Sequence, residues 1–226
     1  VGEDWEDLDK TSQHILTRWI KKESFSDKEY KSALADIKNG LGFSPYTGQI
    51  VAIGVLEVET QCGAVYFQAP EKKKEDFEEN GIKFKILNEK DMLQNFWQIA
   101  LEYSEFISFN GRAFDVPFLI MRSAIHGVKP TKDLMSNRYL FNQKFNATHI
   151  DLLDQLTFYG AVRRKPNLHL ACRVFGIKSP KDDGIDGDEI KPLFKAKEYL
   201  KIAQYNLADL QATRELYLKW NQYIKF

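Results

Sequence analysis

Apolar positions set the first division of the chain. Between Asp4 and Lys22, Trp5, Leu8, Ile15, Leu16 and Trp19 recur at near-helical spacing, and Ser26 stands where it can cap a second helix running towards Ile37. The run Ser44-Pro45-Tyr46-Thr47-Gly48 then predicts a turn. Gln49 to Val58 is rich in Val, Ile and Leu and reads as a strand buried on both faces, with Gly63 to Gln68 pairing to it as a hairpin. Lys83 to Leu87 alternates with period two, a half-buried strand, and Glu89 to Tyr103 returns to helical spacing. Glu105 to Phe109 is the next strand, ended by the turn-forming pair Asn110-Gly111. In the helix that follows, Phe114, Phe118, Met121 and Ile125 share one face, and Pro117 is tolerated because it falls in the first turn; the helix ends near Gly127. A short strand over Ala147 to Ile150 precedes helices over Asp151 to Phe158, Leu168 to Phe175 and about Lys195 to Trp220.

Two helices, a β-rich stretch, strands alternating with helices and a helical tail predict a single α/β domain over residues 1–226. Composition narrows the partners. With 32 basic and 32 acidic side chains, no global field draws the molecule onto a polyanion, so a nucleic-acid contact must be a local patch. Cys62 and Cys172 stand far apart without Cys-x-x-Cys spacing, which indicates neither a zinc site nor a disulfide framework and fits a cytoplasmic protein. No apolar run approaches the roughly 20 residues that cross a bilayer, and the acidic N-terminus is unlike a signal peptide, so no membrane partner is expected.

Candidate chemistry lies in two places. Asp115 follows a strand and a sharp turn at the start of a helix, where it either caps that helix or points from the sheet edge into a cleft. Tyr205 and Asp209 are four residues apart on the last helix, so their side chains share a face. Alone, each feature has an ordinary reading, a cap or a surface pair.

Asn110-Gly111-x-x-Phe114-Asp115-x-Pro117-Phe118 resembles the second exonuclease motif of B-family DNA polymerase proofreading domains, and Tyr205-x-x-x-Asp209 resembles the third motif of the tyrosine-bearing DEDD exonucleases. Ser44-Pro45-x-x-Gly48-x-Ile50-Val51-Ala52-Ile53-Gly54, His149-Ile150-Asp151-Leu152, and the segment from Phe175 through Pro180-Lys181 to Gly187 extend the likeness over nearly the whole chain. The family is that of predicted bacterial 3′–5′ exonucleases related to the B-family proofreading domain. The resemblance implies a ribonuclease-H-like mixed sheet flanked by helices, and phosphodiester hydrolysis at DNA 3′ ends, single-stranded or frayed, with RNA possible as substrate. It implies two Mg2+ or Mn2+ ions in a complete site, with Asp115 and Asp209 as metal ligands, Tyr205 orienting the attacking water, and Asn110 placing the substrate or the turn.

A two-metal nuclease uses about four carboxylates, and the family's first motif, Phe-Asp-x-Glu-Thr, comes directly before a segment like Val1-Gly2-Glu3-Asp4-Trp5. The expectation is therefore that this first strand and its motif are missing from the chain, by natural loss or truncation. Glu3, Asp4, Glu6 and Asp7 read as a solvated helix start and not as substitutes. Asp151 is a candidate for supporting the metal ligands or for capping the next helix. Arg163 and Arg164, with Lys165, are candidates for steadying a nucleic-acid strand, aided by the N-terminus of the helix after Pro166-Asn167. Lys72-Lys73-Lys74 reads as a solvated run, and Asp182 to Glu189 lacks EF-hand ligand spacing. His14, His126, His149 and His169 have no nucleophile motif beside them. The rival expectation is a non-catalytic nucleic-acid-binding or scaffold domain of the same fold.

Overall fold

The alternation at Lys83 to Leu87 has its expected effect: Ile82, Phe84 and Ile86 are buried and Lys83 is exposed in β4 (Ile82–Ile86). In this computed structural model, residues 1–71, 76–183 and 187–225 are described, without the side chains of Asp182 and Asp183. Lys72-Lys73-Lys74 and the centre of the acidic loop after Asp183 therefore lie outside the described residues.

β1 (Ala52–Leu56) pairs antiparallel with β2 (Gly63–Phe67), β2 pairs parallel with β4, and β4 pairs antiparallel with β3 (Phe77–Glu79). The order is β1-β2-β4-β3, a mixed sheet. β3 escapes sequence reading because its three residues are too few for a period and all are exposed; Phe77 is held by stacking on Phe84 at 4.6 Å. β5 (Glu105–Ser108) and β6 (Thr148–Asp151) form a separate parallel pair.

Helices flank these strands on both sides. Ile53, Ala64 and Tyr66 pack under α4 (Glu89–Ala100) and α5 (Asp115–Ile125), burying Met92, Leu93, Trp97, Val116 and Leu119. Side chains alternate across a strand, so Val65, Phe67 and Phe84 face the other way, towards α8 (Ile190–Lys195) and α9 (Tyr199–Tyr223). The far half of α9 covers the β5–β6 pair together with α6 (Leu152–Leu156) and α7 (Leu168–Phe175). This is the mixed α/β architecture expected from the sequence. β1 and β5 are thus covered by the same helices, yet each has one edge with no ladder partner among the described residues. That open edge leaves Ala52, Gly54, Val55 and Leu56 only half-buried, where the sequence predicted burial on both faces.

The opening segment is not one helix. Asp9 accepts the N–H groups of Thr11 and Ser12 at 2.9 and 3.0 Å, the geometry of an N-cap, so α1 (Lys10–Thr17) starts there. Trp5–Asp7 form a separate 3-10 turn, tied to α1 by Gln13, whose amide donates to the carbonyls of Trp5 and Leu8. α2 (Ile20–Glu23) and α3 (Asp27–Gly40) follow, the latter capped by Ser26 as predicted. Asp4 is spent on Lys195 at 2.8 Å and Lys191 at 3.0 Å. Before the 3-10 turn, Val1–Glu3 run antiparallel to 47–49: the Val1 amine donates to the Gln49 carbonyl at 2.7 Å and Gly2 bridges Gly48. Among the described residues, no helix is long and apolar enough to cross a membrane.

Candidate active site

The chain leaves β5 through a turn that only a few residue types adopt. Asn110 has φ +64°, a left-handed conformation that Asn accepts more readily than most residues, and its carbonyl receives the N–H groups of Ala113 and Phe114, both at 3.1 Å. A Cβ on Gly111 would stand 2.2 Å from Ser108 Oγ, so the turn closes only with glycine there. The turn delivers Asp115 to the first position of α5.

Strand β6 holds that turn from beside it. Asp151, buried at its end, accepts the Asn110 N–H at 2.8 Å on one oxygen and the Arg112 N–H at 3.0 Å on the other, and also caps α6 through Leu153 N–H. Both carboxylate oxygens are therefore occupied by backbone. Of the two roles read for Asp151, the geometry supports capping, and adds the clamping of the Asn110 turn. His149 completes the clamp: one ring nitrogen meets the Leu134 carbonyl at 3.0 Å, so that nitrogen carries the proton, and the other accepts from Ser108 Oγ at 2.8 Å. Desolvation lowers the His149 pKa and keeps the ring neutral. The Arg112 guanidinium donates to the carbonyls of Leu134 and Met135, both at 3.2 Å.

Asp209 arrives from the opposite layer. α9 lies so close on β1 that a Cβ at Gly54 would stand 2.2 Å from Asn206 Oδ1 and 2.4 Å from a Leu210 methyl. One residue before each of these in sequence, Tyr205 and Asp209 share a half-buried face of α9. Asp115 is open to water yet surrounded by protein on most sides, as a group on the floor of a cleft is. Desolvation, reinforced by the charge of Asp151, pushes its pKa up to about 6. Desolvation likewise raises Asp209, to about 7, with the Asp115 charge as the next cause and Lys181 partly offsetting it. The two aspartates are thus close enough to feel each other's charge. Tyr205 lines a cavity of about 480 Å3 between α9 and Ile177–Pro180.

Residues 45–225 match the sequence model of a family described as predicted 3′–5′ exonucleases related to the exonuclease domain of PolB. The chain belongs to this family. It is also 28% identical over 148 residues to DNA polymerases of Thermococcus litoralis and Thermococcus aggregans, a match that covers 58% of this chain and 8% of each polymerase. Against the PolB-related pattern, the structure brings Asn110, Asp115 and Asp209 into one region, with Tyr205 one helical turn from Asp209.

Arg163 and Arg164 are exposed on the loop before α7, and among the described residues no contact joins them to the aspartates. The N-terminus of α7 is less open than expected, because Asn167 caps it by accepting Leu170 N–H at 2.8 Å. Sequence reading gave no role to Arg112, Ser108 or Lys181, since their parts depend on the crossing of β5, β6 and α9.

A divalent ion suits the Asp115–Asp209 pair. Two carboxylates near enough to disfavour each other's ionisation are relieved by a cation, and Mg2+ is commonly held by one or two carboxylates plus substrate phosphate. Among the described residues no group of three or more His, Cys, Asp or Glu side chains gathers as a metal site.

Proposed function

We propose that the chain is a Mg2+- or Mn2+-dependent 3′–5′ exonuclease domain that hydrolyses the terminal phosphodiester of single-stranded DNA 3′ ends. The observation that carries this reading is that Asp115 and Asp209, from opposite layers, stand close enough for the Asp115 charge to raise the Asp209 pKa, with desolvation the larger cause of the rise in both. An ion held by these carboxylates would neutralise phosphate charge and make bound water more acidic. Tyr205 would orient an attacking water, whose oxygen bonds to phosphorus as the bond to the 3′ oxygen of the preceding nucleotide breaks. The products are a nucleoside 5′-monophosphate and a shortened strand whose 3′ oxygen takes a proton from solvent. Asn110 and the clamp around it fix where Asp115 stands.

A second ion would need further carboxylates, and β1 and β5 each have an edge without a ladder partner among the described residues. Because Gly2 already bridges Gly48, an extended segment joined to Val1 would continue antiparallel along β1. Asn206 Oδ1, buried beside Gly54, has no hydrogen-bond partner among the described residues, as expected of a region built around one more strand.

The test is mononucleotide release from 3′-labelled single-stranded DNA, and from the matching RNA, by the protein in Mg2+ or Mn2+. Asp209→Ala should abolish release and Tyr205→Phe should slow it by much less; release unchanged in Asp209→Ala would sink the proposal. The two-aspartate site also fits a non-catalytic DNA-end-binding domain of the same fold. That reading predicts binding that survives a chelator, with no release under any metal.

A further inference from the structure

Residues 129–165 hold seven Lys and Arg against three Asp, in a chain otherwise balanced at 32 of each sign. Asp151 is consumed by backbone N–H groups, Asp154 by Arg138 and Asp133 by Lys144. Among the described residues Arg163, Arg164 and Lys165 have no ion-pair partner and are exposed. The same segment displays aromatic rings to solvent: Phe141 is 85% exposed and Phe158 55%. Tyr139, also exposed, sits between Phe141 at 6.2 Å and Tyr159 at 4.7 Å, ring centre to ring centre.

This display is built. The Tyr159 hydroxyl accepts from Gln155 at 3.0 Å and from Leu140 N–H at 3.4 Å, which fixes the ring under Tyr139. Phe158 and Tyr159 have φ +49° and +56°, consecutive left-handed conformations that bulky side chains rarely adopt. Such strain persists where the surroundings enforce it, and it concentrates at binding sites. A tight turn follows, with Val162 N–H on the Thr157 carbonyl at 3.1 Å, and the exposed Arg163 and Arg164 come directly after it.

Both arms of this surface begin at the candidate active site. Arg112, in the Asn110 turn, grips the carbonyls of Leu134 and Met135 just before Tyr139; Asp151, which clamps the same turn, caps α6, which ends at Leu156, two residues before Phe158.

We propose that Tyr139, Phe141 and Phe158, with Arg163 and Arg164, form a stacking platform for single-stranded nucleic acid, taking the unpaired bases that follow the terminal nucleotide. Aromatic faces stack on any base and cationic side chains track the phosphates, so the platform favours single strands with little regard to sequence. It rests on the exonuclease reading for its place beside the cleft, but its binding is measurable without catalysis.

The experiment is fluorescence anisotropy of a labelled 12-mer of deoxythymidylate, titrated with the protein in chelator at several salt concentrations. The double variant F141A/F158A should weaken binding by at least roughly fivefold to a hundredfold, the range for removing one base stack at about 1–3 kcal/mol. R163Q/R164Q should also flatten the salt dependence, by about 0.7 in log–log slope for each phosphate that is no longer neutralised. F25A, which removes an equally exposed ring on the N-terminal helical segment, should leave affinity unchanged. Unchanged binding by F141A/F158A, an equal weakening in F25A, or equal affinity for a blunt duplex would overturn the platform. Should the platform bind while no metal releases nucleotides, the exonuclease reading fails and the platform stands.

Discussion

Asp151 accepts the backbone N–H of Asn110 at 2.8 Å, across the ladder that joins β5 to β6. The carboxylate that sequence reading held as a possible support for the metal ligands thus acts on the chain just before Asp115. Asp151→Ala leaves the N–H groups of Asn110, Arg112 and Leu153 without this acceptor, and each buried unsatisfied group costs about 1–3 kcal/mol. Asp151→Ala should lower the unfolding free energy and should reduce kcat with little change in affinity for single-stranded DNA. A variant that melts earlier yet keeps its kcat would show that the turn does not position Asp115.

The pH dependence of stability follows from the raised pKa values. A carboxyl whose pKa is higher folded than unfolded binds more protons when folded, so its contribution is present at low pH and is lost as pH rises through the folded value. For Asp209, raised from 3.8 to about 7, the loss runs between about pH 4 and pH 7. Comparing the protein with Asp209→Asn isolates this effect: without divalent ions, wild type should lose melting temperature relative to the variant as pH rises from 4 to 7. Parallel profiles would contradict the raised pKa.

Glu89, 5% exposed, ties three elements together. It receives two hydrogen bonds from Arg122 at 2.8 and 2.7 Å, one from His126 at 2.8 Å and the Ile50 N–H at 2.7 Å. Burial works to raise its pKa, and these partners outweigh burial and hold it below the usual carboxylate range. Removing one member of a buried pair typically costs about 3–5 kcal/mol, because the other charge is left uncompensated. Glu89→Ala should be destabilised by that order in urea unfolding, whereas a loss under about 1 kcal/mol would mean that water replaces the carboxylate.

The elements most legible in the sequence were those with a long period or a distinctive turn. Lys83 to Leu87, Asn110-Gly111 and the final helix each carry their signal locally. The N-terminal break was hidden because Asp9 competes as a cap inside an apparently continuous helical stripe, a choice settled by Gln13 folding the preceding turn back. At the site, Asp115 and Asp209 were visible through motif resemblance, but their proximity depends on Gly54 admitting α9 against β1. The capping of α6 by Asp151 was legible, but its clamping of the Asn110 turn and the role of His149 were not, since both arise from the alignment of β5 with β6. The aromatic surface carried no period at all, because Tyr139, Phe141 and Phe158 come from two separate loops.

The central claim, that Asp115 and Asp209 jointly hold a divalent ion, is tested most directly by Mn2+ titration monitored by electron paramagnetic resonance. The account predicts about one bound Mn2+ per chain at pH 8, weakened at pH 5.5 as the aspartates protonate, and lost in both Asp115→Asn and Asp209→Asn. Undiminished Mn2+ binding in either variant would contradict it.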